Sequence, residues 1–358
     1  MNSLREGARN CARFGNVQPG EEVLIVTVPG GDDAMVEAIR EASEELGGRV
    51  ATLATLPRAQ GENLSAVHVA ALMAADMVFE LGPPSAHTAA GFLACFDYGT
   101  RQLALRPDRR LLASAAARFP AELFYELGRR TQALLRANRD LHLTCELGTD
   151  LRMTVTPGAI GGYIGPRPYE PGPAVPGYLG SFPPGSCVWG DVGYTATGRI
   201  VLDAAYRHPS PSQPITVTVE RGWVTAIEGG PEADEIAEIV FGAANANRLA
   251  ETGLGLNPMV DLEWDEHGAG DPRATIVFWT RRAGTFFIGI GGDTLQGGRD
   301  ASTVSPVYGW IRRPSLRAAS KQLLAGGRLS WLHPPDAELL EFAERHGGTR
   351  WLSEDRER

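Results

Sequence analysis

Two apolar, β-branched runs near the start of the chain constrain its fold most. Val23-Leu-Ile-Val-Thr-Val28 and Val50-Ala-Thr-Leu53 are separated by the turn Pro29-Gly-Gly31 and a stretch of helical period from Ala34 to Leu46. The first, a continuous apolar run, reads as a strand covered on both faces, and the second as the start of the next strand. Asp32 or Asp33 can cap the intervening helix, and Gly47-Gly48 can end it. Strand, helix and strand in this order make a parallel pair with a right-handed crossover. The alternation continues with a helix over Ser65–Ala75, a strand over Met77–Leu81, a helix over Ala89–Tyr98 and a strand over Arg101–Leu105. A helix precedes the first strand, and helical sequence over 109–138 follows the last. Residues 1–140 are therefore expected to form an open, doubly wound, Rossmann-like α/β domain. The Gly30-Gly31 turn lacks the spacing G-x-G-x-x-G, and two acidic residues would face any pyrophosphate, so no dinucleotide is expected there.

The second half, 141–358, changes to strand periodicity. Leu141–Val155 alternates apolar and polar residues around Gly148-Thr-Asp150, the pattern of a hairpin. Further strands are expected at Gly198–Leu202, Ile215–Val219, Trp223–Ile227, Ala274–Thr280 and Phe286–Ile290, with an amphipathic helix over Pro231–Ala250 and a surface helix over Pro335–His346. Between them, residues 157–185 hold eight Pro and eight Gly, too many for a helix or strand, together with Tyr163, Tyr169, Tyr178 and Phe182. A long loop that rich in aromatics reads either as a lid over a site or as a flexible insertion.

Composition excludes several functions. The net charge of -9 argues against nucleic-acid phosphate as the main ligand. Cys11, Cys95, Cys145 and Cys187 are far apart, so neither a thiolate zinc site nor a redox pair is expected. The N-terminal residues lack the apolar run of a signal peptide, and no stretch is long and apolar enough to span a bilayer. A cytoplasmic protein without membrane contact is the expectation.

Four stretches in order resemble the aminopeptidase T / 2,5-dihydroxypyridine dioxygenase superfamily. They are Leu147-Gly-Thr-Asp-Leu151; Phe182-Pro-Pro-Gly-Ser-Cys-Val188 with Gly198–Leu202 and Glu220–Gly230; Glu251-Thr-Gly-Leu-Gly-Leu-Asn-Pro258; and Phe287-Ile-Gly-Ile-Gly291 with Gly297-Gly298 and Ser302–Leu316. The resemblance implies a second domain of the aminopeptidase T type, β-rich and α+β. It also implies a metal held by His and carboxylate side chains, in the dioxygenases a 2-His-1-carboxylate set. One such His would open the strand at 287, where this chain has Phe287. An H-x-D pair would fall on Pro306-Val307-Tyr308, and a Glu after the P-x-G turn would fall on Ser186. In the peptidases the resemblance implies a further donor, the Glu opening the E-x-G-x-G-x-N-P stretch, and of all these positions only that one, Glu251, keeps a donor of the family type. No His occurs anywhere in residues 268–332, where the carboxylates are Asp271, Asp293 and Asp300. No metal and no other cofactor is therefore expected.

The same segment is rich in aromatics and arginine. Phe286, Phe287, Tyr308, Trp310 and Trp279, with Arg312, Arg313 and Asn257, are the candidate ligand-binding residues, because aromatic area and guanidinium charge dominate binding surfaces. Strand alternation would point one of Phe286 and Phe287 inward and the other outward. Two functions follow. One is a metal-free, non-catalytic accessory protein that binds a peptide or small aromatic ligand, alongside partner enzymes of a peptide-tailoring biosynthetic pathway. The other is a metal-independent hydrolase, cyclase or isomerase with Glu251, His87 and Tyr308 as acid–base groups. A metalloenzyme with relocated ligands is a third. His87 follows a parallel strand, where open α/β sheets place ligands, and the resemblance implies a substrate-contacting base there. His68 is expected on a helix surface. The resemblance also implies self-association, with a homodimer the simplest form.

Overall fold

The computed structural model describes residues 2–56, 64–82, 91, 94, 97–105, 108–155, 179–190, 194–260, 280–292, 302, 306–332, 334–349 and 352. In chain order the elements begin α1 (Asn2–Phe14), β1 (Glu22–Thr27), α2 (Asp33–Glu45), β2 (Arg49–Ala54), α3 (Ala66–Ala74), β3 (Met77–Glu80), β4 (Arg101–Ala104), α4 (Arg109–Leu112) and α5 (Ala121–Ala137). Then follow β5 (Asp140–Thr144), β6 (Asp150–Thr154), β7 (Leu179–Ser181), β8 (Ser186–Gly190), β9 (Thr197–Leu202), β10 (Ala204–Ala205), β11 (Ile215–Glu220) and β12 (Trp223–Glu228). The chain continues through α6 (Pro231–Phe241), β13 (Leu249–Gly255), β14 (Phe286–Ile290), β15 (Val307–Ile311), β16 (Ser315–Ala318), β17 (Lys321–Ala325), β18 (Arg328–Leu329) and α7 (Ala337–Arg345). Among the described residues, no helix is long and apolar enough to cross a membrane.

Residues 1–126 and 165–184 form one compact unit, and residues 127–164 and 185–358 the other. The passage between them lies inside α5, ahead of the boundary at 140 that the end of helical sequence suggests. The first unit holds a five-stranded parallel sheet in the order β2-β1-β3-β4-β7. The helix after β1 starts as the sequence implies. The Asp32 carboxylate accepts from the amides of Ala34 and Met35, and Ser65 caps α3 through the His68 amide. Buried Arg101 in β4 donates to the carbonyls of Gly15 and Asn16 and pairs with Glu21, tying the α1–β1 connection to the sheet. The end of segment 157–185 differs from expectation. Leu179–Ser181 is a strand, parallel to β4, in the first unit. Residues 157–178 of that segment lie outside the described residues. His68 also differs, being 3% exposed on the inner side of α3 rather than on its surface.

The second unit contains two sheets. One is eight-stranded, in the order β12-β11-β9-β6-β5-β16-β17-β18; the other is five-stranded, in the order β10-β15-β14-β13-β8. The expected hairpin at Gly148 joins β5 to β6. Gly198 in β9 has φ +138°, and a Cβ there would lie 2.1 Å from the Asp150 carbonyl, so β9 approaches β6 this closely only because residue 198 lacks a side chain. The helix expected over Pro231–Ala250 is shorter than its pattern. It ends at Phe241, with Gly242 at the C-cap; Asn245 takes φ +57°, and Leu249–Gly255 is a strand. Glu251 thus sits in β13, in the middle of a sheet, and not at a helix end.

Candidate functional site

The five-stranded sheet of the second unit gathers the sequence candidates. Glu251 in β13 pairs with Gly289 in β14, and Gly289 with Tyr308 in β15; Gly253 pairs with Phe287, and Phe287 with Trp310. Side chains directly opposite across strands share a face, as do residues two apart along one strand. Glu251, Phe287, Tyr308 and Trp310 therefore lie on one face. Ser186, opposite Gly255 in β8, lies there too. Four of the five positions where the resemblance implies a metal donor (Ser186, Glu251, Phe287 and Tyr308) form one surface; the fifth, Pro306, precedes β15.

Glycine at alternate positions brings these groups close. A Cβ at 289 would lie 2.8 Å from Glu251 Cγ, 3.3 Å from Glu251 Oε1 and 3.3 Å from Tyr308 Cε1. Carboxylate and phenol ring thus flank the gap left by Gly289. A Cβ at 253 would lie 2.4 Å from Phe287 Cζ, so the Phe287 ring occupies the space over Gly253. The Phe287 and Tyr308 rings are 6.4 Å apart and tilted. Gly253 and Gly289 were not among the expected site residues. The period-two glycines of E-T-G-L-G and F-I-G-I-G were the available signal, since both runs put their glycines on the face of Glu251 and Phe287.

Alternation does not expose either Phe286 or Phe287, which are 0% and 1% exposed. Both faces of the sheet are covered. Phe286 packs edge-on against Trp189 on the opposite face, with ring centroids 6.0 Å apart. Trp310 is fully buried and Tyr308 half-buried. Asn257 is also fully buried; its Oδ1 accepts from the Met259 amide, and its backbone pairs with Arg281 and Ala283. Arg312 and Arg313 come after β15 and are exposed. The Arg312 guanidinium donates to the Pro209 carbonyl at 2.7 Å and reaches Asp203 at 3.5 Å. His87 and Trp279 lie outside the described residues, as do His267, Asp271, Asp293, Asp300 and most of the strand expected at Ala274–Thr280.

Asp203, between β9 and β10, links the two sheets. Its Oδ2 accepts from the Arg312 amide at 3.0 Å, and its own amide donates to the Trp310 carbonyl. Burial raises the carboxyl pKa, outweighing that hydrogen bond and the charges of Arg312 and Arg313. A raised native pKa means that the fold favours the protonated acid. The stability this supplies is present below the ordinary carboxylate range and is lost as pH rises through the raised value. Asp203→Asn, which keeps the acceptor, is expected to raise the melting temperature at pH 7, with the gain disappearing near pH ~3. A lower melting temperature for the variant at pH 7 would show that the Arg312 pair outweighs burial.

Among the described residues, no group of three or more His, Cys, Asp or Glu side chains is placed to share a metal ion. On the shared face the described donors are the Glu251 carboxylate, the Tyr308 phenol and the Ser186 hydroxyl. That set does not fit a 2-His-1-carboxylate centre, because no imidazole is in it.

An open parallel α/β sheet followed by a two-sheet β-rich unit is an architecture of the aminopeptidase T type. Among solved structures the chain is similar to the 2,5-dihydroxypyridine dioxygenase of Pseudomonas putida KT2440, at 20% identity over 91% of this chain and 96% of that one, with a TM-score of 0.71. It is also similar to wild-type AmpT of Thermus thermophilus, at 14% identity over 92% and 99% of the two chains, with a TM-score of 0.62. No curated protein matches the chain. Residues 4–304 match the sequence profile of 2,5-dihydroxypyridine 5,6-dioxygenase (NicX), and the chain belongs to that family.

Proposed function

We propose that this family member works without a metal, as a non-catalytic accessory protein that binds a peptide or small aromatic ligand for other enzymes of a peptide-tailoring pathway. One observation carries the reading. Four of the five positions where the resemblance implies metal donors lie in register on one sheet face, and beside Glu251 they carry Phe287, Tyr308 and Ser186, while the fifth is Pro306, which has no side-chain donor. A phenyl ring has no electron pair to offer a divalent cation, and Phe287 fills its space with apolar packing. What the face offers a ligand is a 6%-exposed carboxylate beside a half-buried phenol, walled by aromatic rings.

Elemental analysis of the purified chain, before and after incubation with Fe(II), Zn(II), Mn(II) and Co(II), should find metal far below one ion per chain. Tryptophan fluorescence should then respond saturably to a series of dipeptides with aromatic side chains. Stoichiometric metal, or consumption of 2,5-dihydroxypyridine in the presence of Fe(II), would sink the metal-free reading. A flat titration with every dipeptide would sink the peptide.

A second reading has its own support. Glu251 and Tyr308 flank one gap, and two titratable groups so placed can exchange a proton with one bound molecule. This metal-independent enzyme would lose turnover in Glu251→Gln while still binding its substrate.

A further inference from the structure

A row of basic side chains crosses the outer face of the eight-stranded sheet, in a different sheet from Glu251. Arg317 in β16 stands opposite His142 in β5, and His142 stands opposite Arg152 in β6. The chain has 43 acidic residues against 34 Arg and Lys, so a run of bases in register is not what its average composition would place there. Arg152 and Arg317 are both exposed, and neither side chain makes a hydrogen bond or ion pair among the described residues. His142 is held differently. Its Nε2 lies 2.8 Å from Asp150 Oδ1, which orients the ring.

The row lines a groove of about 500 Å³, completed by Asp140, Thr154, Thr195 and Ala319. The polar groups at the other end of the groove are already engaged. Asp140 Oδ1 accepts from the Thr154 hydroxyl at 2.8 Å, and the Thr195 hydroxyl donates to the Thr154 carbonyl at 3.0 Å. The two guanidinium groups are the donors left over. Adjacent strands are ~4.8 Å apart, so the backbones of Arg152 and Arg317 are separated by ~10 Å across β5. Two arginine side chains can converge over that span on one anion lying above His142. The guanidinium fork matches the paired oxygens of a carboxylate or phosphate group.

We propose that this groove is a binding site for a small oxyanion, a phosphate or carboxylate group held between Arg152 and Arg317 over His142. It is independent of the ligand proposed for the Glu251 face. The test is calorimetric titration of the full chain at constant ionic strength, with inorganic phosphate in one arm and acetate in the other. Saturable one-to-one binding is expected. Arg152→Gln and Arg317→Gln should each weaken it about tenfold, as loss of a charge-assisted hydrogen bond does. The double variant should abolish it, while Arg328→Gln on β18 leaves it unchanged. Both target positions are exposed, so the variants should unfold cooperatively at nearly the parent temperature. Tighter phosphate binding assigns a phosphoryl ligand, and tighter acetate binding a carboxylate. No saturable heat with either anion, or undiminished binding in the double variant, overturns the proposal.

Discussion

Trp310→Ala is expected to lower the unfolding free energy by about 3–5 kcal/mol, the usual cost of removing a large aromatic side chain from a packed interior. Trp310 is fully buried in the strand next to the edge of its sheet, opposite Phe287 in β14 on one side and Ala204 in β10 on the other. Deleting the indole removes its apolar transfer energy and leaves a hole that the neighbouring β-strands cannot close, because their backbones are fixed by ladder hydrogen bonds on both sides. Urea unfolding of the variant against the parent chain measures the loss at an unchanged m-value. A loss below about 1 kcal/mol would mean that the indole is not a core group. The role of Trp310 as a ligand contact would then gain ground.

Phe287→His should also be costly, on the order of 2–4 kcal/mol, combining lost apolar transfer with a ring nitrogen placed where a phenyl group now packs. Phe287 is 1% exposed, its ring lies over Gly253, and the Tyr308 ring is its neighbour. The substitution restores the residue type that the family resemblance implies at this position, so it separates two ideas. If the metal site has been dismantled, one added imidazole beside Glu251 makes an incomplete set. Fe(II) or Zn(II) should then leave the melting temperature of the variant unchanged. A ligand that binds only the folded state raises apparent stability by RT ln(1 + [L]/Kd), about 2.7 kcal/mol at a hundredfold excess over Kd. A metal-dependent rise of that order would show that further donors surround the site, and the metal-free reading would fall.

Much of the first unit was legible along the chain. The runs at Val23 and Val50, the glycine pairs Gly30-Gly31 and Gly47-Gly48 and the capping residue Asp32 are local signals, and each governs structure within a few residues of itself. The strands Phe286–Ile290 and Trp223–Glu228 were legible for the same reason. Where local pattern and structure differ, the deciding partner is distant in sequence. The pattern 231–250 suits a helix by its period, but Leu249–Ala250 is drawn into β13 by pairing with β14 some forty positions later. Leu179–Ser181 looked irregular beside its prolines, and it is the ladder with β4 that makes it a strand. The inside-outside rule for Phe286 and Phe287 presumed one wet face, whereas this sheet is covered on both.

The candidate site divides in the same way. Which donors remain at the family's positions is a matter of residue identity, and Glu251, Phe287 and Tyr308 could be named from the chain alone. That they share a face could not, because a one-residue change of register in β13, β14 or β15 would turn one of them to the other side of the sheet. The same holds for the row of Arg317, His142 and Arg152, whose members lie far apart in sequence and meet only through the pairing of β16, β5 and β6. Local period and punctuation determine which segments become strands and helices. Only the assembled sheets decide which side chains meet, since register is set by burial of whole faces and not by any one segment.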